Sequence, residues 1–243
     1  MTVLVSFVIP AFNEEKLLPA TLASVANASR AFDDLGWGRE TIVCDNNSTD
    51  ATAEIARAAG AKVVFEPVNQ IARARNSGAA AASGDWLIFI DADSRPTREL
   101  FADVAASIQS GRCLAGGVIV RLDERHLLAD LGTALWNRLS RIRHWFAGSF
   151  IFCETRAFRA VGGFNQDLFA SEEIDLSKRL NDLGRREGKG IVILHRHPLR
   201  TSARKVHLYS RLELLRFFRR AIIQPRQTVT SREACSPWYD GRR

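Results

Sequence analysis

Long apolar runs are absent from this chain of 243 residues. No stretch approaches the roughly 18–20 apolar residues that a membrane-spanning helix needs, so we expect no segment that crosses a membrane. The first ten residues are apolar, but no basic residue precedes the run, which leads directly into Asn13, Glu14 and Glu15. This pattern predicts a buried strand at the start of the chain and not a signal peptide.

Cysteine is scarce, and its spacing excludes the familiar metal-binding patterns. Cys44, Cys113, Cys153 and Cys235 form no CxxC pair and have no zinc-ligand spacing. Two of them, Cys44 and Cys113, lie in apolar, strand-like runs. We therefore expect reduced thiols in the core, as is typical of a cytoplasmic protein.

Acidic residues are the minority among the charges. There are 34 Lys and Arg against 27 Asp and Glu, which gives a formal net charge of +7 and a pI near 9.7. A basic balance favours partners with negative charge, and nucleic acid, anionic lipid and nucleotide diphosphate all qualify. Hydrophobic residues make up 46% of the chain, which is enough for the core of one domain of ordinary size and excludes wholesale disorder.

Strand-like and helix-like patterns alternate through the first half of the chain. Apolar strand patterns cover 3–10, 41–44, 62–65 and 86–90. Helical patterns cover 14–28, 50–59, 70–82 and 97–109. Strands separated by helices imply crossover connections and a mostly parallel sheet. Ligands of such sheets bind at the carboxyl ends of the strands, where the candidate functional residues of this chain also lie.

The second half of the chain is less regular. Strand patterns cover 113–121, 150–153 and 191–194, and helical patterns cover 128–142 and 172–183. A basic amphipathic helix is predicted over 206–223, followed by a polar tail. We expect a core domain over 1–200 and an extension over 201–243 that comprises this helix and the tail.

Two aspartates follow the fourth predicted strand, in the sequence Asp91-Ala92-Asp93. Two carboxylates at the end of a buried strand repel each other unless a cation or hydrogen bonds hold them. Hard oxygen ligands with few protein contacts suit Mg²⁺ or Mn²⁺ that also binds a substrate phosphate. The alternative is helix capping, with Asp93 and Ser94 ahead of the helix that is predicted to begin near Thr97.

Asp45 and Arg75 are the candidates for holding a nucleotide. Asp45 ends the second predicted strand, where a carboxylate can accept a hydrogen bond from a uracil imide or a ribose hydroxyl. The alternative is a turn in which Ser48 or Thr49 caps the next helix. Arg75 stands in an alanine-rich helix, and a guanidinium can hold a diphosphate bidentately. The alternative there is an exposed helix arginine, and Arg73 competes for the same role.

An acidic cluster opens the helix that is predicted over 172–183. Glu172, Glu173 and Asp175 stand in its first turn, where carboxylates stabilise the helix dipole, so simple capping is one interpretation. The other interpretation is a general base. A carboxylate that is crowded by other acids and partly removed from water has a raised proton affinity, as deprotonating a hydroxyl requires.

Six short motifs occur in one order over roughly 3–194. They are VIPAFNEE, DNNSTDAT, ARNSG, DAD, VGGFN and SEEIDLSKRL. With them the chain resembles glycosyltransferase family 2, the inverting group with the GT-A fold. The resemblance implies an α/β, Rossmann-like three-layer sandwich with a mostly parallel central sheet. It departs from the family at Glu173, where Asp is commoner, and after Asp45, where the family usually reads Asp-Asp-Gly-Ser.

The resemblance also implies roles for individual residues. Nucleotide-sugar binding is implied for Pro10, Ala11, Asn13, Glu14, Asp45, Arg75 and Asp91. Metal binding, to Mn²⁺ or Mg²⁺, is implied for Asp93 and Asp91, and some GT-A enzymes add a histidine at the position of His195 or His197. A histidine that is packed or solvated at a strand end is the alternative for these two. The catalytic base is implied at Glu173, with Glu172 and Asp175 as alternatives.

The activity that the resemblance implies is metal-assisted sugar transfer with inversion, in glycan, polysaccharide or glycolipid synthesis. The donor would be a nucleotide-diphosphate sugar, with a UDP-sugar favoured, and the acceptor a hydroxyl of a glycan or a lipid-linked molecule. The basic helices predicted over 127–145 and 204–223 suit peripheral contact with an anionic membrane, whereas a core-packing helix with a solvated basic face is the alternative for each. We expect a cytoplasmic protein, in contact with the inner face of the membrane if these helices bind it.

Three other functions compete. A sugar nucleotidyltransferase would need a glycine-rich loop with Arg and Lys after the first strand, where this chain has Ala11-Phe12-Asn13-Glu14-Glu15. A dinucleotide-dependent oxidoreductase would need GxGxxG at that place. A basic, non-catalytic module that binds membrane or nucleic acid is the alternative from another class. Because the chain has no nucleic-acid-binding motif, we expect no nucleic-acid partner.

Overall fold

The computed structural model describes residues 2–124, 127–204, 225–235 and 239. For residues 127–128 and 225–226 it describes the backbone alone. The basic helix that is predicted over 206–223 lies outside the described residues.

Eight strands form one sheet in the described part of the chain. Their bounds are β1 Leu4–Ala11, β2 Gly38–Asp45, β3 Lys62–Phe65, β4 Trp86–Ile90, β5 Ser94–Arg95, β6 Cys113–Leu122, β7 Phe150–Glu154 and β8 Gly190–Thr201. The order across the sheet is β3-β2-β1-β4-β7-β6-β8-β5. Four neighbouring pairs are parallel, β7 runs antiparallel to β4 and β6, and β5 runs antiparallel to β8. The prediction of a mostly parallel sheet is confirmed.

Nine helices occur among the described residues. They are α1 Leu18–Ala28, α2 Arg30–Asp33, α3 Thr52–Ala58, α4 Ile71–Ala80, α5 Arg98–Gln109, α6 Leu127–Arg143, α7 Thr155–Ala160, α8 Glu172–Glu187 and α9 Pro225–Val229. The predicted helices all occur here, except the one outside the described residues. Three short helices, α2, α7 and α9, and the two-residue strand β5 have no predicted counterpart. Elements this short are too small to show a periodic pattern in the sequence.

Two hydrophobic cores lie on opposite faces of the sheet. Phe7, Phe32 and Phe101 stack in the first core, with ring centroids 5.3 Å apart between Phe101 and each of the other two. Phe89 and Phe164 meet edge to face in the second, 5.0 Å apart, beside helices α4, α7 and α8. Helices therefore cover both faces of the sheet, which confirms the three-layer α/β sandwich.

Strand β1 lies at the centre of the sheet between two parallel neighbours. All residues from Val5 to Ala11 are buried, which explains why this strand has an unbroken apolar run and no alternation. Helix α1 begins at Leu18 and not at 14, because the Glu14 carbonyl accepts the N–H groups of Leu17 and Leu18 in a separate turn. This turn carries Glu14 to the end of β1, where its side chain faces a pocket.

Strand β8 is much longer than the predicted 191–194. It continues to Thr201 through a polar stretch that pairs with β6 and β5. Apolar patterning missed this part because most of its side chains are not buried. The division at residue 200 stays a prediction, although β8 ends close to it.

Two simpler expectations can be compared directly with the structure. All four cysteines are free and buried, as predicted. Among the described residues, no helix is long and apolar enough to cross a membrane.

Candidate active site

A small pocket of about 70 Å³ lies at the carboxyl ends of β1, β2 and β4. Its lining residues are Pro10, Ala11, Phe12, Glu14, Asn46, Asn69, Ile71, Asp91, Ala92, Asp93, Arg204 and Tyr239. This is the sheet edge at which the alternating pattern predicts a ligand. Five of the predicted site residues, Pro10, Ala11, Glu14, Asp91 and Asp93, meet there. Arg204 and Tyr239 come from the C-terminal part of the chain, and local sequence patterns do not indicate them.

Asp91 and Asp93 present carboxylates at the end of β4. Asp91 Oδ1 accepts a hydrogen bond from Arg75 Nη2 at 3.0 Å. Asp93 Oδ1 lies 3.4 Å from the Thr201 hydroxyl, and its other oxygen lies 3.8 Å from Arg204. The capping alternative for Asp93 is wrong, because the side chain that caps α5 is that of Thr97.

Glu14 is held by Arg204 across the mouth of the pocket. Two guanidinium nitrogens donate to its two carboxylate oxygens, at 3.0 and 2.7 Å. Such a bidentate pair is both strong and directional. Arg204 also lies near Asp93. One cation therefore stands between the carboxylate of Glu14, which follows β1, and that of Asp93, which follows β4.

Arg75 lies beneath the pocket as the centre of a buried charge network. Its Nη1 donates to Glu172 at 2.8 Å, and its Nη2 donates to Asp91 and to the Gly148 carbonyl, at 3.0 and 2.7 Å. The guanidinium also lies 5.2 Å from the Phe164 ring centroid. Burial alone would lower the pKa of Arg75, but the neighbouring carboxylates outweigh it and raise that pKa.

This placement corrects one expectation for Arg75. The side chain is 1% exposed, so it is not an exposed helix arginine. It does not line the pocket, and its contact with a diphosphate stays a prediction. Its role in the structure is to orient Asp91 and Glu172. The competing residue, Arg73, donates instead to Gln70 Oε1 at 3.1 Å.

Glu173 stands in the first turn of α8, beside this network. Burial and, next, the charge of Glu172 raise the pKa of Glu173 to about 8, although Arg75 opposes both effects. Asp91 also raises this pKa, which places it in the same electrostatic neighbourhood. A carboxylate with a proton affinity near neutrality is suited to accept a proton from a bound hydroxyl.

The other two acids of the first turn have different partners. Glu172 is buried and bound to Arg75. Asp175 is bound by two nitrogens of Arg179, at 2.9 and 2.6 Å, and lines a separate cavity. These contacts favour Glu173 over Glu172 and Asp175 as the residue that is ready to accept a proton.

Asn13 and Asp45 accept hydrogen bonds that hold the loops after β1 and β2. Asn13 has a left-handed backbone, with φ 52°, and its Oδ1 accepts the Thr49 N–H at 2.8 Å. Asp45 is buried, and its Oδ1 accepts the Ser48 N–H at 3.0 Å. Neither side chain lines the pocket. The next residue, Asn46, does line it, so here the structure places the lining position one residue beyond Asp45.

His195 and His197 lie away from the aspartate pair. His195 is exposed and lines a cavity of about 440 Å³ that is distinct from the pocket of Asp91 and Asp93. Nδ1 of His197 lies 2.9 Å from an oxygen of Asp103. This placement does not support His195 or His197 as a metal ligand. Thr201 and Arg204, which contact Asp93, lie further along the chain than either histidine.

The motif residues Asn76 and Gly163 meet where α4 packs against the loop after α7. Asn76 Nδ2 donates to the Phe164 carbonyl at 2.8 Å, and its Oδ1 accepts the Phe164 N–H at 2.9 Å. A Cβ at Gly163 would lie 2.7 Å from that Oδ1, and φ there is +69°. The ARNSG and VGGFN motifs therefore lock α4 to the loop whose Phe164 ring stacks on Arg75.

A comparison with protein families matches residues 6–161, well over half of the chain, to "Glycosyl transferase family 2". An uncharacterised glycosyltransferase of Mycobacterium tuberculosis is 34% identical over 142 residues, which cover 58% of this chain and 61% of the relative. Validoxylamine A glucosyltransferase of Streptomyces hygroscopicus is 28% identical over 223 residues, covering 74% of this chain and 52% of that protein. The chain thus spans about half to three fifths of the length of these relatives.

Solved structures share the fold. The mannosyltransferase PcManGT of Pyrobaculum calidifontis, in complex with GDP-Man and Mn²⁺, superposes with a TM-score of 0.70 at 18% identity, over 90% of this chain and 61% of that one. TarS of S. aureus, in complex with UDP-GlcNAc, gives 0.62 at 19% identity, over 83% of this chain and 58% of its own. At these identities the likeness shows the fold, which is of the GT-A type. With the family match, it follows that this chain belongs to glycosyltransferase family 2.

Proposed function

We propose that this chain transfers a sugar from a nucleotide-diphosphate sugar, with a UDP-sugar favoured, to a hydroxyl of a glycan or a lipid-linked acceptor. The observation that carries the proposal is the arrangement of Asp91, Arg75 and Glu172 beside Glu173. It joins Asp91, at the end of β4, through Arg75 to Glu172 and to the neighbouring Glu173, whose pKa is raised to about 8. Sugar transfer needs both parts, a site for a diphosphate and a base for a hydroxyl.

The donor would occupy the pocket of β1, β2 and β4. Relatives of known structure bind GDP-Man and UDP-GlcNAc, which supports a nucleotide sugar as the ligand class here. A pocket of about 70 Å³ is smaller than the roughly 300–1,000 Å³ of typical small-molecule sites. We therefore expect Arg204 and Tyr239, which line it, to move when the donor binds.

The residues at the end of β4 fit a divalent cation. Asp93 and Asp91 offer hard oxygen ligands, and the described residues contain no group of three or more metal-binding side chains. Two carboxylates leave most coordination positions to substrate phosphate and water, which is the arrangement that Mg²⁺ and Mn²⁺ accept. When bound, the ion would supply charge stabilisation for the leaving diphosphate.

Glu173 would take the proton of the acceptor hydroxyl. The acceptor oxygen forms a bond to the anomeric carbon as the bond from that carbon to the donor phosphate oxygen breaks, and the nucleoside diphosphate leaves. A single displacement of this kind inverts the anomeric centre and requires no enzyme nucleophile. Arg75 would hold Asp91 and Glu172 in place throughout, because its contacts with them do not depend on substrate.

Replacing Glu173 tests this assignment. We expect Glu173→Gln to lower the rate of nucleoside diphosphate release from UDP- and GDP-sugars, offered with Mn²⁺ and a panel of glycan acceptors, by about 10²–10⁴-fold. Glutamine keeps the shape of the side chain but cannot accept the proton. Binding of the nucleotide should stay within about twofold of the wild-type affinity, because the base does not line the donor pocket.

The matched control is Glu54→Gln, which changes a glutamate whose side chain is 70% exposed on α3. It should release nucleoside diphosphate at the wild-type rate. Wild-type activity in the Glu173 variant would reject Glu173 as the base. Nucleoside diphosphate release that is equally fast from every sugar nucleotide, and equally fast with every acceptor, would reject the transferase activity itself.

A further inference from the structure

Helix α6 carries apolar side chains on the side that faces away from the protein. Leu131, Leu135 and Ile142 are 68%, 69% and 63% exposed. Their spacing of four and seven residues places them on one face of the helix, and Arg138 falls between them on the same face. We name these four residues the α6 outer face. It holds half of the six large hydrophobic side chains that are exposed in the described part of the chain.

The opposite side of α6 is packed against the protein. Asn137 donates to the Val120 carbonyl at 2.8 Å and accepts the Val120 N–H at 3.0 Å. Ser140 is buried, and its hydroxyl donates to the Trp145 carbonyl at 2.6 Å. The helix is therefore fixed on β6 through its polar side, so rotating the apolar side inward would break these contacts. The fold therefore holds the apolar side of α6 exposed.

Positive charge surrounds the apolar side chains. Arg141 and Arg143 are exposed in the last turn of α6, next to Arg138. Among the described residues, no acidic side chain forms an ion pair with any of these three arginines. Arg143 instead lies 5.6 Å from the Trp145 ring centroid. Leucine and isoleucine flanked by arginines are the composition of a helix that lies in the headgroup region of an anionic bilayer.

A second copy of the chain is a poorer occupant of this surface. A twofold contact buries the same patch on both partners. It would bring the arginines of the two outer faces together, and such like charges repel when they are removed from water. The positive charge of this surface is complementary to an anionic lipid and not to a second copy of the same surface.

We propose that the α6 outer face docks on a membrane that contains anionic lipid. Leu131, Leu135 and Ile142 enter the boundary between headgroups and acyl chains, and the arginines bind the lipid phosphates. The other side of α6 lines a groove of about 1,140 Å³ that reaches Asp93. Docking therefore brings this groove to the membrane surface, where it can receive an acceptor that is anchored in lipid. This consequence rests on the proposed function, whereas the docking itself does not.

Vesicle sedimentation of the full chain tests the docking. We expect binding to vesicles of phosphatidylcholine mixed with phosphatidylglycerol in equal amounts, weak binding to phosphatidylcholine alone, and loss of binding at high salt. The variants L131Q/L135Q/I142Q and R138Q/R141Q should each lower the partition coefficient by more than about tenfold. The controls L35Q and R57Q/R185Q change exposed residues elsewhere and should leave it unchanged.

The basic segment that is predicted over 206–223 stays intact in every variant, so a loss is assigned to α6. Thermal melts should match those of the wild type, because the changed side chains are exposed. Three results would overturn the proposal. These are no sedimentation with the mixed vesicles, equal binding by the α6 variants, and a wild-type dimer that L131Q/L135Q/I142Q converts to a monomer. Nucleotide binding by the same variants should be unchanged, which separates failure of the docking from failure of the donor site.

Discussion

Glu173 illustrates how burial and neighbouring charges set the chemistry of one residue. Its carboxylate is at a helix N-terminus, which favours the charged form. Burial and the charge of Glu172 nevertheless raise its pKa to about 8. The sequence shows only a cluster of acids, and the pairing of Glu172 with Arg75 and of Asp175 with Arg179 separates their roles. No spacing rule could predict the partner of Glu172, because Arg75 lies on a different helix, whereas Arg179 follows Asp175 by four residues on α8.

The raised pKa of Glu173 predicts the pH dependence of the reaction. Only the deprotonated carboxylate can accept a proton, so kcat/KM should rise about tenfold per pH unit below pH 8 and level off above it. Nucleoside diphosphate release measured at saturating Mn²⁺ from about pH 6 to 9 checks this. A profile that is flat below about pH 8 would contradict a base with this proton affinity, and Glu54→Gln should reproduce the wild-type curve.

Arg75 predicts a large effect on stability. Arg75→Met would leave the Glu172 carboxylate, 5% exposed, without its cation and would remove the partner of Asp91. Removing one member of a buried ion pair costs roughly 3–5 kcal/mol. Urea denaturation measures the free energy of unfolding. The exposed control Arg57→Met should change it by less than about 0.5 kcal/mol. A loss below about 1 kcal/mol for Arg75→Met would show that the network contributes little.

Helix α4 is the element that joins the site to the rest of the fold. Arg75 points into the charge network, Asn76 bonds the backbone of Phe164, and Gly78 packs on β1. A Cβ at Gly78 would lie 2.5 Å from Cγ1 of Val8. The five residues of the ARNSG motif thus make three different contacts, all on α4. The charge network accounts for Arg75, hydrogen bonding accounts for Asn76, and close packing accounts for Gly78.

Asn76 predicts an intermediate effect on stability. Asn76→Ala removes both hydrogen bonds to Phe164 and leaves its N–H and carbonyl without these partners, so we expect a loss of roughly 1–3 kcal/mol in the free energy of unfolding. Asn27→Ala, at an exposed position of α1, is the control and should cost less. Because Phe164 stacks on Arg75, the Asn76 variant should also lower turnover. Unchanged stability and turnover would mean that the loop is held by other contacts.

Sequence patterns predict the first half of the fold well and the second half less well. Strand β4 and all of β1 after Leu4 are buried and therefore have apolar runs, and the ends of these strands locate Asp91, Asp93 and Glu14. Strand β8 was predicted too short, because its outer part is held by pairing with β6 and β5 and not by burial. For the same reason His195 is predicted to follow a strand, whereas it lies within β8. Residues that sit on irregular or partly exposed backbone have no periodic signature.

At the scale of the whole molecule, the C-terminal part of the chain completes the pocket. Arg204 binds Glu14 across 190 positions of sequence, and the Tyr239 hydroxyl accepts the Ile71 N–H at 3.4 Å. Both residues lie beyond the 6–161 region that matches the family. Such long-range pairs leave no local pattern. The sequence therefore predicts the acidic residues of the pocket but not Arg204.

Calorimetric titration with UDP and with GDP, with and without Mn²⁺, tests the central claim that this pocket binds a nucleotide-sugar donor. The proteins are the wild type, Asp93→Asn, and Asp182→Asn, which alters an aspartate that is 67% exposed on α8. We predict Mn²⁺-dependent binding of one of the two nucleotides by the wild type and by Asp182→Asn, and its loss in Asp93→Asn. No binding of either nucleotide with metal, or equal binding by Asp93→Asn, would contradict the account.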